Sequence, residues 1–458
     1  MTRKLSIPLD EDSNDLIKRY ERFVEGKGPG YFDVEELETI VDFYLRKGRT
    51  KESSMALELG FRLHPDSIAL KIKRAKIYLV ADEVQKAYRI IETVNDEGNY
   101  ELTLIRIETY LKLGRNTEAV IMSNNLLEDE TDDLDNIALD LAYIFISQLD
   151  FEAALELLLT GDQSEHKNTD LLFELAFCYE QTANFAKAIE TYNRILNIDP
   201  YTSEAWFNSG QIYFTLQDFQ KAINAYDFAL AINEEDLLTC LQKGHAHFQL
   251  NQFDKALECY IEYEKAAFDP WQANLFIGEC YEKMENYDDA INHYFKSLTE
   301  KPENYDALTG IGICLLEKEM FSESLKYIRK ALELNEEAAD AWVYLAEGLI
   351  GIDDNENALL AYLKSISFDP DQPDTLMAIA NLLMDRENYE LALQYYLLAL
   401  ELDNTLEYID LFIAVAFYKT NQPMESGLYL RKAIAQNNDA LNLFLEVCPD
   451  ALISEILK

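Results

Sequence analysis

A 34-residue period runs through this 458-residue chain and limits its fold more than any other feature. Four residue types keep this period in one common register. The recurring residues are Gly210, Gly244, Gly278 and Gly312; Ala154, Ala188, Ala222, Ala256 and Ala290, then Ala358 and Ala392; Tyr192, Tyr226, Tyr260 and Tyr294, then Tyr362 and Tyr396; and Pro200, Pro302 and Pro370. A fixed period of this length predicts one supersecondary unit repeated along the chain, each copy burying its apolar side against its neighbours.

Residues 203–236 show what each copy contains. Apolar residues follow helical spacing from Trp206, polar residues then interrupt the pattern, and a second helical stretch covers about 219–232. Small residues at two repeat positions, Gly210 and Ala222, would allow the two helices to approach each other closely. Larger side chains are predicted to fill the space between neighbouring copies: Trp206, Tyr213 and Tyr226.

This pattern resembles the tetratricopeptide repeat, in which W-x2-L-G-x2-Y, then A-x3-F/Y, then P extend over two antiparallel helices. Residues 203–236 carry the pattern, and residues 341–346, with the sequence AWVYLA, match its first part. The resemblance implies an all-α fold, a right-handed superhelical α-solenoid of antiparallel helix pairs. Twelve repeats, numbered 1 to 12 below, would begin near residues 34, 68, 100, 135, 169, 203, 237, 271, 305, 339, 373 and 407.

The regularity of the register suggests how the chain is divided. The register is unbroken from residue 135 onward, whereas the spacing slips by one or two residues in the first three repeats. Because a solenoid needs polar caps over its terminal apolar faces, both ends are expected to carry capping helices. We therefore expect four segments: a disordered segment and capping helix at 1–33, divergent repeats 1–3 at 34–134, regular repeats 4–12 at 135–440, and a capping helix at 441–458.

Charge restricts the class of partner. The chain has 40 Lys and Arg against 84 Asp and Glu, a formal net charge of −44. Residues 1–120 hold 20 basic and 22 acidic residues, whereas residues 121–458 hold 20 and 62. A chain this acidic repels nucleic-acid phosphates and anionic membranes, so neither is an expected partner.

The sequence also favours a cytoplasmic location. Its first twelve residues, MTRKLSIPLDED, lack the apolar stretch of a secretory signal, and no segment approaches the ~18 apolar residues of a membrane span. The six cysteines are scattered and form no CxxC pair, which does not indicate a disulfide framework. We therefore expect no membrane insertion.

Neither catalysis nor a cofactor is predicted. The chain contains no GxxxxGK[ST], GxGxxG, GxSxG or HExxH motif. The acidic segment at 128–135 lacks the alternating ligands, the central glycine and the distal glutamate of a calcium loop. His245 and His247 are two residues apart on a predicted helix and point to different faces, which does not favour a zinc site. We therefore expect no catalytic, cofactor-binding or metal-binding residues.

Three of the cysteines share one repeat position. Cys178, Cys280 and Cys314 are each the tenth residue of their repeats. Recurrence at one position is typical of a packing position, where a free cysteine behaves as a small hydrophobic residue.

The resemblance implies where a partner would bind. In the family, the second, fifth, ninth and twelfth residues of each first helix line a concave groove. Among these positions in repeats 4 to 7, the candidate partner-binding residues are Tyr143, Asp170, Phe173, Phe177, Glu180, Glu204, Phe207, Gln211, Phe214, His245 and Phe248. The alternative is that some of these phenylalanines pack between helices instead.

The residue types at these positions predict the chemistry of the partner. The groove positions of repeats 4 to 11 include no Lys or Arg, which argues against a ligand held by its carboxylates. Aromatic rings edged by carboxylates suit a basic or apolar-aromatic segment, because cations bind well over ring faces. Phe173, Phe177, Phe207, Phe214 and Phe248 would act as anchors. Asp170, Glu180 and Glu204 would select for positive charge.

Three functions are compatible with these features. The first is a non-catalytic scaffold or adaptor that binds a protein segment in the groove. The second is an assembly component that uses its end or convex surfaces, including weak head-to-tail self-association between a basic N-terminal cluster and the acidic remainder. That cluster comprises Arg46, Lys47, Arg49, Lys51, Arg62, Lys71, Lys73, Arg74 and Lys76. The third is a regulatory subunit of an enzyme complex.

Overall fold

The computed structural model describes residues 11–28, 30–96, 98–129, 133–163, 168–266, 268 and 270–451. The chain divides into a first unit, Met1–Leu216, and a second unit, Gln217–Lys458. The described part of the first unit forms these helices: α1 (Glu11–Val24), α2 (Val34–Arg46), α3 (Thr50–Leu63), α4 (Ile68–Val80), α5 (Val84–Ile91), α6 (Tyr100–Lys112), α7 (Asn116–Asp129), α8 (Leu134–Ser147), α9 (Phe151–Gly161), α10 (Thr169–Gln181), α11 (Phe185–Ile198) and α12 (Ser203–Thr215).

The described part of the second unit is also helical, without strands. Its helices are α13 (Phe219–Ile232), α14 (Leu237–Gln249), α15 (Phe253–Ala266), α16 (Trp271–Lys283), α17 (Tyr287–Glu300), α18 (Tyr305–Glu317), α19 (Phe321–Leu334), α20 (Ala339–Gly351), α21 (Asn355–Phe368), α22 (Pro373–Asp385), α23 (Tyr389–Leu402), α24 (Ile409–Lys419), α25 (Pro423–Gln436) and α26 (Ala440–Val447).

Within each unit, the two helices of a repeat pack against each other. Such pairs are α8 with α9 and α10 with α11 in the first unit, and α14 with α15 and α16 with α17 in the second. First helices of successive repeats also touch, as α8 touches α10 and α16 touches α18. The paired-helix architecture predicted from the 34-residue period is confirmed within each unit.

A residue in the left-handed backbone conformation connects the two helices of most repeats. Leu149 has a φ of 62° between α8 and α9, and the N–H of Asp150 donates to the carbonyl oxygen of Phe145 at 3.0 Å. This is the bond that closes a helix C-terminus when the chain turns through the left-handed region. In repeats 1 and 3 the same place is taken by Gly48 and Gly114, with φ of 71° and 74°.

The recurring small and large residues fit each other in the core. The ring of Tyr294 is 1% exposed. A Cβ atom added to Gly278 would lie 2.6 Å from its Cε1 atom, and one added to Gly310 would lie 2.5 Å from its Cζ atom. The tyrosine therefore fills space that glycines on α16 and α18 leave open. Gly278 and Tyr294 belong to the predicted register, whereas Gly310 lies outside it.

The chain ends are only partly described. Helix α1 packs on α2, and Ile17 and Tyr20 on α1 are buried. At the other end, Phe444 on α26 is fully buried. Residues 1–10 and 452–458 of the expected terminal segments lie outside the described residues. A capping role for α1 and α26 stays a prediction.

Candidate functional site

In the first unit, the hydroxyl group of Tyr192 brings several of the candidate residues together. The ring of Tyr192, on α11, is 2% exposed. Its hydroxyl donates a hydrogen bond of 2.6 Å to Oε1 of Glu180 on α10. The ring of Phe173, also on α10, meets the Tyr192 ring in an edge-to-face arrangement with centroids 6.0 Å apart. Two candidate residues on one helix are thus held by one buried tyrosine.

The next first helix, α12, contributes to the same cluster. Burial and then the negative charge of Glu180 raise the pKa of Tyr192, and the carboxylate of Glu204 on α12 adds to this shift. A hydrogen bond with Asn208 on α12 acts in the opposite direction. Burial also raises the pKa of Glu180, although the hydrogen bond from Tyr192 partly offsets it. Glu180 therefore contacts the hydroxyl of Tyr192, Phe173 contacts its ring, and the charge of Glu204 acts on the same hydroxyl. These four residues are called the Tyr192 cluster below.

The other aromatic candidates of the first unit have mixed roles. The ring of Phe177 packs edge-to-face on Phe151 of α9, with centroids 5.9 Å apart. Tyr143, Phe173 and Phe177 are half-buried and pack against the hydrophobic core of the unit. Part of each of these three side chains therefore packs between helices, while the rest of its surface stays accessible to a partner.

The remaining candidates of the first unit lie at its surface. Asp170 and Glu204 are exposed, and three side chains on α12, Phe207, Gln211 and Phe214, are half-buried. The first helices therefore present partly accessible rings together with exposed carboxylates.

The two candidates of the second unit lie within an aromatic cluster. Nδ1 of His245, on α14, lies 2.8 Å from the hydroxyl oxygen of Tyr260, and its ring meets Phe276 edge-on at 4.7 Å. Burial lowers the pKa of His245, which favours the neutral imidazole. The ring of Phe248 packs edge-to-face on Phe253 at 5.3 Å. His247 points elsewhere, with its Nδ1 atom 2.8 Å from Oε1 of Gln252.

The first helices of repeats 8 and 9 form an acidic cluster in the second unit. Burial, together with the charges of Asp306 and Glu282, raises the pKa of Glu279 to about 7. Glu282 accepts a hydrogen bond of 2.7 Å from the hydroxyl of Tyr294. All three carboxylates occupy groove positions of their repeats, but residue spacing alone did not indicate that they influence one another.

The hydroxyl groups of the recurring tyrosines have a role that the repeat pattern did not predict. The pattern placed these tyrosines in the core, and their rings are indeed buried. Their hydroxyls, however, reach polar residues at groove positions of the preceding helix. The pairs are Tyr192 with Glu180, Tyr260 with His245, Tyr294 with Glu282 and Tyr396 with Asn381. A sequence signal existed, because each partner lies 12 or 15 residues before its tyrosine.

The basic N-terminal cluster is partly neutralised within the first unit. Nζ of Lys73, on α4, lies 2.8 Å from Oδ2 of Asp42 on α2 and 2.8 Å from Oε1 of Glu101 on α6. Arg74 pairs with Glu58 at 2.9 Å. Several of these basic side chains therefore already have acidic partners in the same chain.

In the described part of the chain, no group of three or more His, Cys, Asp or Glu side chains could hold a metal ion. Residues 130–132 of the acidic segment lie outside the described residues. None of the described helices has the length and apolar character needed to cross a bilayer.

Comparison with known families identifies several of the repeats. Models of the tetratricopeptide repeat match residues 169–202, 203–236, 241–305 and 373–406. The ranges that begin at residues 169, 203 and 373 start at predicted repeat boundaries, whereas the range 241–305 begins four residues after the predicted start at 237. No curated protein sequence matches the chain closely enough to count as a relative.

Solved structures with a similar arrangement share little sequence with the chain. A chain in the crystal structure of the APC/C hetero-tetramer Cut9-Hcn1 matches with a TM-score of 0.43 and 13% sequence identity. The match covers 89% of this chain and 96% of that chain. Pseudomonas aeruginosa pilF has a TM-score of 0.43 and 17% identity over 48% of this chain and 99% of its own. YrrB, described as a TPR protein with an unusual peptide-binding site, has a TM-score of 0.36 and 18% identity over 42% and 98%.

Proposed function

We propose that this chain, in which residues 169–202, 203–236, 241–305 and 373–406 match models of the tetratricopeptide repeat, is a non-catalytic scaffold or adaptor. It would bind a basic or apolar-aromatic protein segment on the first helices of repeats 4 to 6. The Tyr192 cluster carries this proposal. It joins an aromatic ring, Phe173, to two carboxylates, Glu180 and Glu204, from successive first helices. Such a cluster offers a ring face and negative charge to one cationic side chain.

Burial makes this cluster suitable for recognising charge. Glu180 is half-buried, and burial raises its pKa. A cation that arrives beside it would favour the ionised carboxylate and find little competing water, so the interaction would be stronger than at a fully exposed acid. Exposed Asp170 and Glu204 would attract the same cation at longer range, in a salt-dependent way.

Binding to synthetic peptides tests the proposal directly. The full chain would be titrated with acetylated, amidated peptides that alternate Lys with Phe, Lys with Ser, and Glu with Phe. We expect the Lys-Phe peptide to bind most tightly, and its affinity to fall as the salt concentration rises. Equal binding of the Glu-Phe peptide would contradict the predicted partner chemistry.

Variants locate the site on the first helices. Replacing both acids, Glu180→Gln and Glu204→Gln, should weaken binding of the Lys-Phe peptide at least ~10-fold, because two charge contacts are lost. Glu152→Gln and Glu156→Gln on α9 are the matched control, since both acids are exposed and lie on a second helix. Equal loss in both double variants would indicate attraction by overall charge and would contradict the site.

Phe177→Ala with Phe207→Ala tests the aromatic anchors. This variant is expected to weaken peptide binding while the helical circular dichroism is retained. If it binds the peptide as tightly as the parent chain, the anchor assignment is wrong.

The other two functions stay predictions from the sequence. Head-to-tail self-association has less free charge available than the sequence suggested, because Lys73 and Arg74 are paired with acids in their own unit. Light scattering at low and high salt tests it, since a charge-driven assembly should dissociate as screening increases. The regulatory role, the cytoplasmic location and the absence of a nucleic-acid partner also stay predictions.

A further inference from the structure

A pair of cysteines meets between the two helices of repeat 7. Cys240 lies on α14 and Cys259 on α15, and Sγ of Cys240 is 3.4 Å from the backbone oxygen of Cys259. They are the fourth and twenty-third residues of their repeat. In repeat 8 these two positions hold Asn274 and His293, whose Oδ1 and Nδ1 atoms lie 2.8 Å apart. The two positions therefore face each other across the helix pair: their side chains are in direct contact in repeat 8, and in repeat 7 the Cys240 thiol reaches the backbone of Cys259.

A glycine allows the two helices to approach each other closely at this point. Gly244 lies one turn after Cys240 on α14. A Cβ atom added to Gly244 would lie 3.1 Å from the Cβ atom of Cys259 and 2.7 Å from Cε1 of Tyr260. Because the glycine has no side chain, α15 can approach α14, and Cys259 comes within reach of Cys240.

The surroundings of the two thiols differ. Cys240 is half-buried, whereas Cys259 is 8% exposed. The side-chain interaction with Cys259 lowers the pKa of Cys240, and the ammonium group of Lys243 acts in the same direction against burial. The hydrogen bond with Cys240 and then burial raise the pKa of Cys259. Cys240 is thus the more accessible thiol and the more readily ionised one, which are the properties of an attacking thiol.

We propose that Cys240 and Cys259 are a redox modification site, at which a hydroperoxide converts the two thiols into an intramolecular disulfide. This site is separate from the proposed peptide-binding face and does not depend on it. In the first step, the Cys240 thiolate attacks one peroxide oxygen, the O–O bond breaks, and the released alkoxide takes up a proton. In the second, the Cys259 sulfur attacks the Cys240 sulfenic acid, an S–S bond forms, and water leaves with the Cys259 proton.

The disulfide would change how repeat 7 is held together. The two cysteines are 19 residues apart in sequence. A covalent bond across this interval closes a loop that includes the turn between α14 and α15, and it limits the unfolded states of the repeat. His245 and Tyr260, which follow these cysteines on their helices, would be held in one arrangement. Oxidation is therefore expected to make repeat 7 more resistant to local unfolding.

Three other cysteines serve as internal references. Cys178, Cys280 and Cys314 are 0% exposed, and burial raises their pKa to about 12. A buried thiol with a raised pKa is a poor nucleophile, so these three should stay reduced at peroxide concentrations that oxidise the pair.

Thiol counting with peptide mapping tests the proposal. The native full chain, which has six free cysteines, would be treated with hydrogen peroxide, quenched, denatured and titrated for thiols. We expect two thiols to be lost, a mass decrease of two hydrogen atoms, and a disulfide-linked fragment that contains both Cys240 and Cys259. Cys280→Ala is the matched control and should lose two thiols as well. An unchanged thiol count, or a linkage between other cysteines, would overturn the proposal.

Single variants test the order of attack. In Cys259→Ser, the Cys240 sulfenic acid should persist and react with dimedone, a trap for sulfenic acids. In Cys240→Ser, Cys259 should stay unlabelled under the same conditions. Equal dimedone labelling of the two variants, each with the parent's helical circular dichroism, would overturn the assigned roles. If either variant fails to fold, the fragment mapping of the parent chain still decides whether the pair forms.

Discussion

The hydroxyl of Tyr294 donates a hydrogen bond of 2.7 Å to Oε2 of Glu282, while its ring is 1% exposed between two helix pairs. One side chain thus fills the core and also fixes a carboxylate on the first-helix face. The same relationship joins Tyr192 to Glu180 at 2.6 Å in the first unit. Because the ring cannot move without opening the core, the orientation of each carboxylate depends on the packing of the repeat.

Replacing Tyr294 by Phe separates the two roles. Tyr294→Phe keeps the ring and removes the hydrogen bond to Glu282, so we expect a loss of about 1.5–3 kcal/mol in the free energy of unfolding, the usual range for a bond to a charged group. Urea unfolding followed by circular dichroism measures it. Tyr201→Phe is the control, because Tyr201 is 78% exposed and should change little. An equal effect in both variants would contradict the role assigned to the Tyr294 hydroxyl.

Stability should depend on pH through Glu279. Burial, with the charges of Asp306 and Glu282, raises the pKa of Glu279 to about 7 in the folded chain, above its ordinary value of 4.5. The folded state then holds a proton that the unfolded state has lost. The stabilisation that the folded state gains from holding this proton is fully present below pH 4.5 and disappears as the pH rises through 7.

Glu279→Gln should remove this contribution. Between about pH 5 and 8, the unfolding free energy of the parent should fall relative to that of the variant by up to about 3 kcal/mol, given 1.36 kcal/mol for each pKa unit. Urea unfolding at each pH measures the difference. Glu300→Gln, at an exposed acid on α17, is the control. Parallel pH curves for the parent and Glu279→Gln would show that Glu279 is not responsible.

The sequence predicted the helices well because their signal is local. The 34-residue register of glycine, alanine and tyrosine marks positions within a helix pair, and first helices begin at Ser203, Leu237, Trp271 and Tyr305 as that register requires. The family pattern likewise placed Glu180 and Phe173 on a first helix. Helical spacing, however, does not show which atoms of a buried ring reach another helix.

Contacts between distant segments were harder to predict. Lys73 appeared in the sequence as one member of a basic cluster with a potential acidic partner elsewhere. In the structure it pairs with Asp42 and Glu101, which are 31 and 28 residues away. Cys240 and Cys259 appeared as scattered cysteines, but they meet because Gly244 allows close helix packing. These contacts depend on the distance between helices, which residue spacing alone does not give.

The left-handed turn after α8 offers a stabilising substitution. Leu149 has a φ of 62°, and its side chain is 74% exposed, so it bears the steric cost of this conformation without compensating burial. Leu149→Gly should raise the free energy of unfolding by about 1 kcal/mol, after the entropy cost of glycine is subtracted. Thermal unfolding measures the change. Leu159→Gly within α9 is the control and should lower stability by about 1 kcal/mol, because glycine is a poor helix former.

The ion pairs of Lys73 hold three first helices of the first unit together. Its side chain is 7% exposed, and it bridges Asp42 on α2 and Glu101 on α6 from its place on α4. Burial lowers the pKa of Lys73, but the two carboxylates outweigh it and leave the pKa raised. The ammonium group therefore stays charged, and its removal would leave two partly buried acids without this partner.

Lys73→Met should consequently lower the free energy of unfolding by roughly 2–4 kcal/mol. This value lies near the lower part of the range for breaking a buried ion pair, because both acids keep some contact with water. Hydrogen exchange of the α4 amides measures this loss locally, where unfolding of the whole chain could obscure it. Lys51→Met is the control, because Lys51 is exposed. A triple variant, Lys73→Met with Asp42→Leu and Glu101→Leu, should recover much of the loss by removing the unpaired acids. If Lys73→Met exchanges as slowly as the parent, the pairs do not stabilise α4.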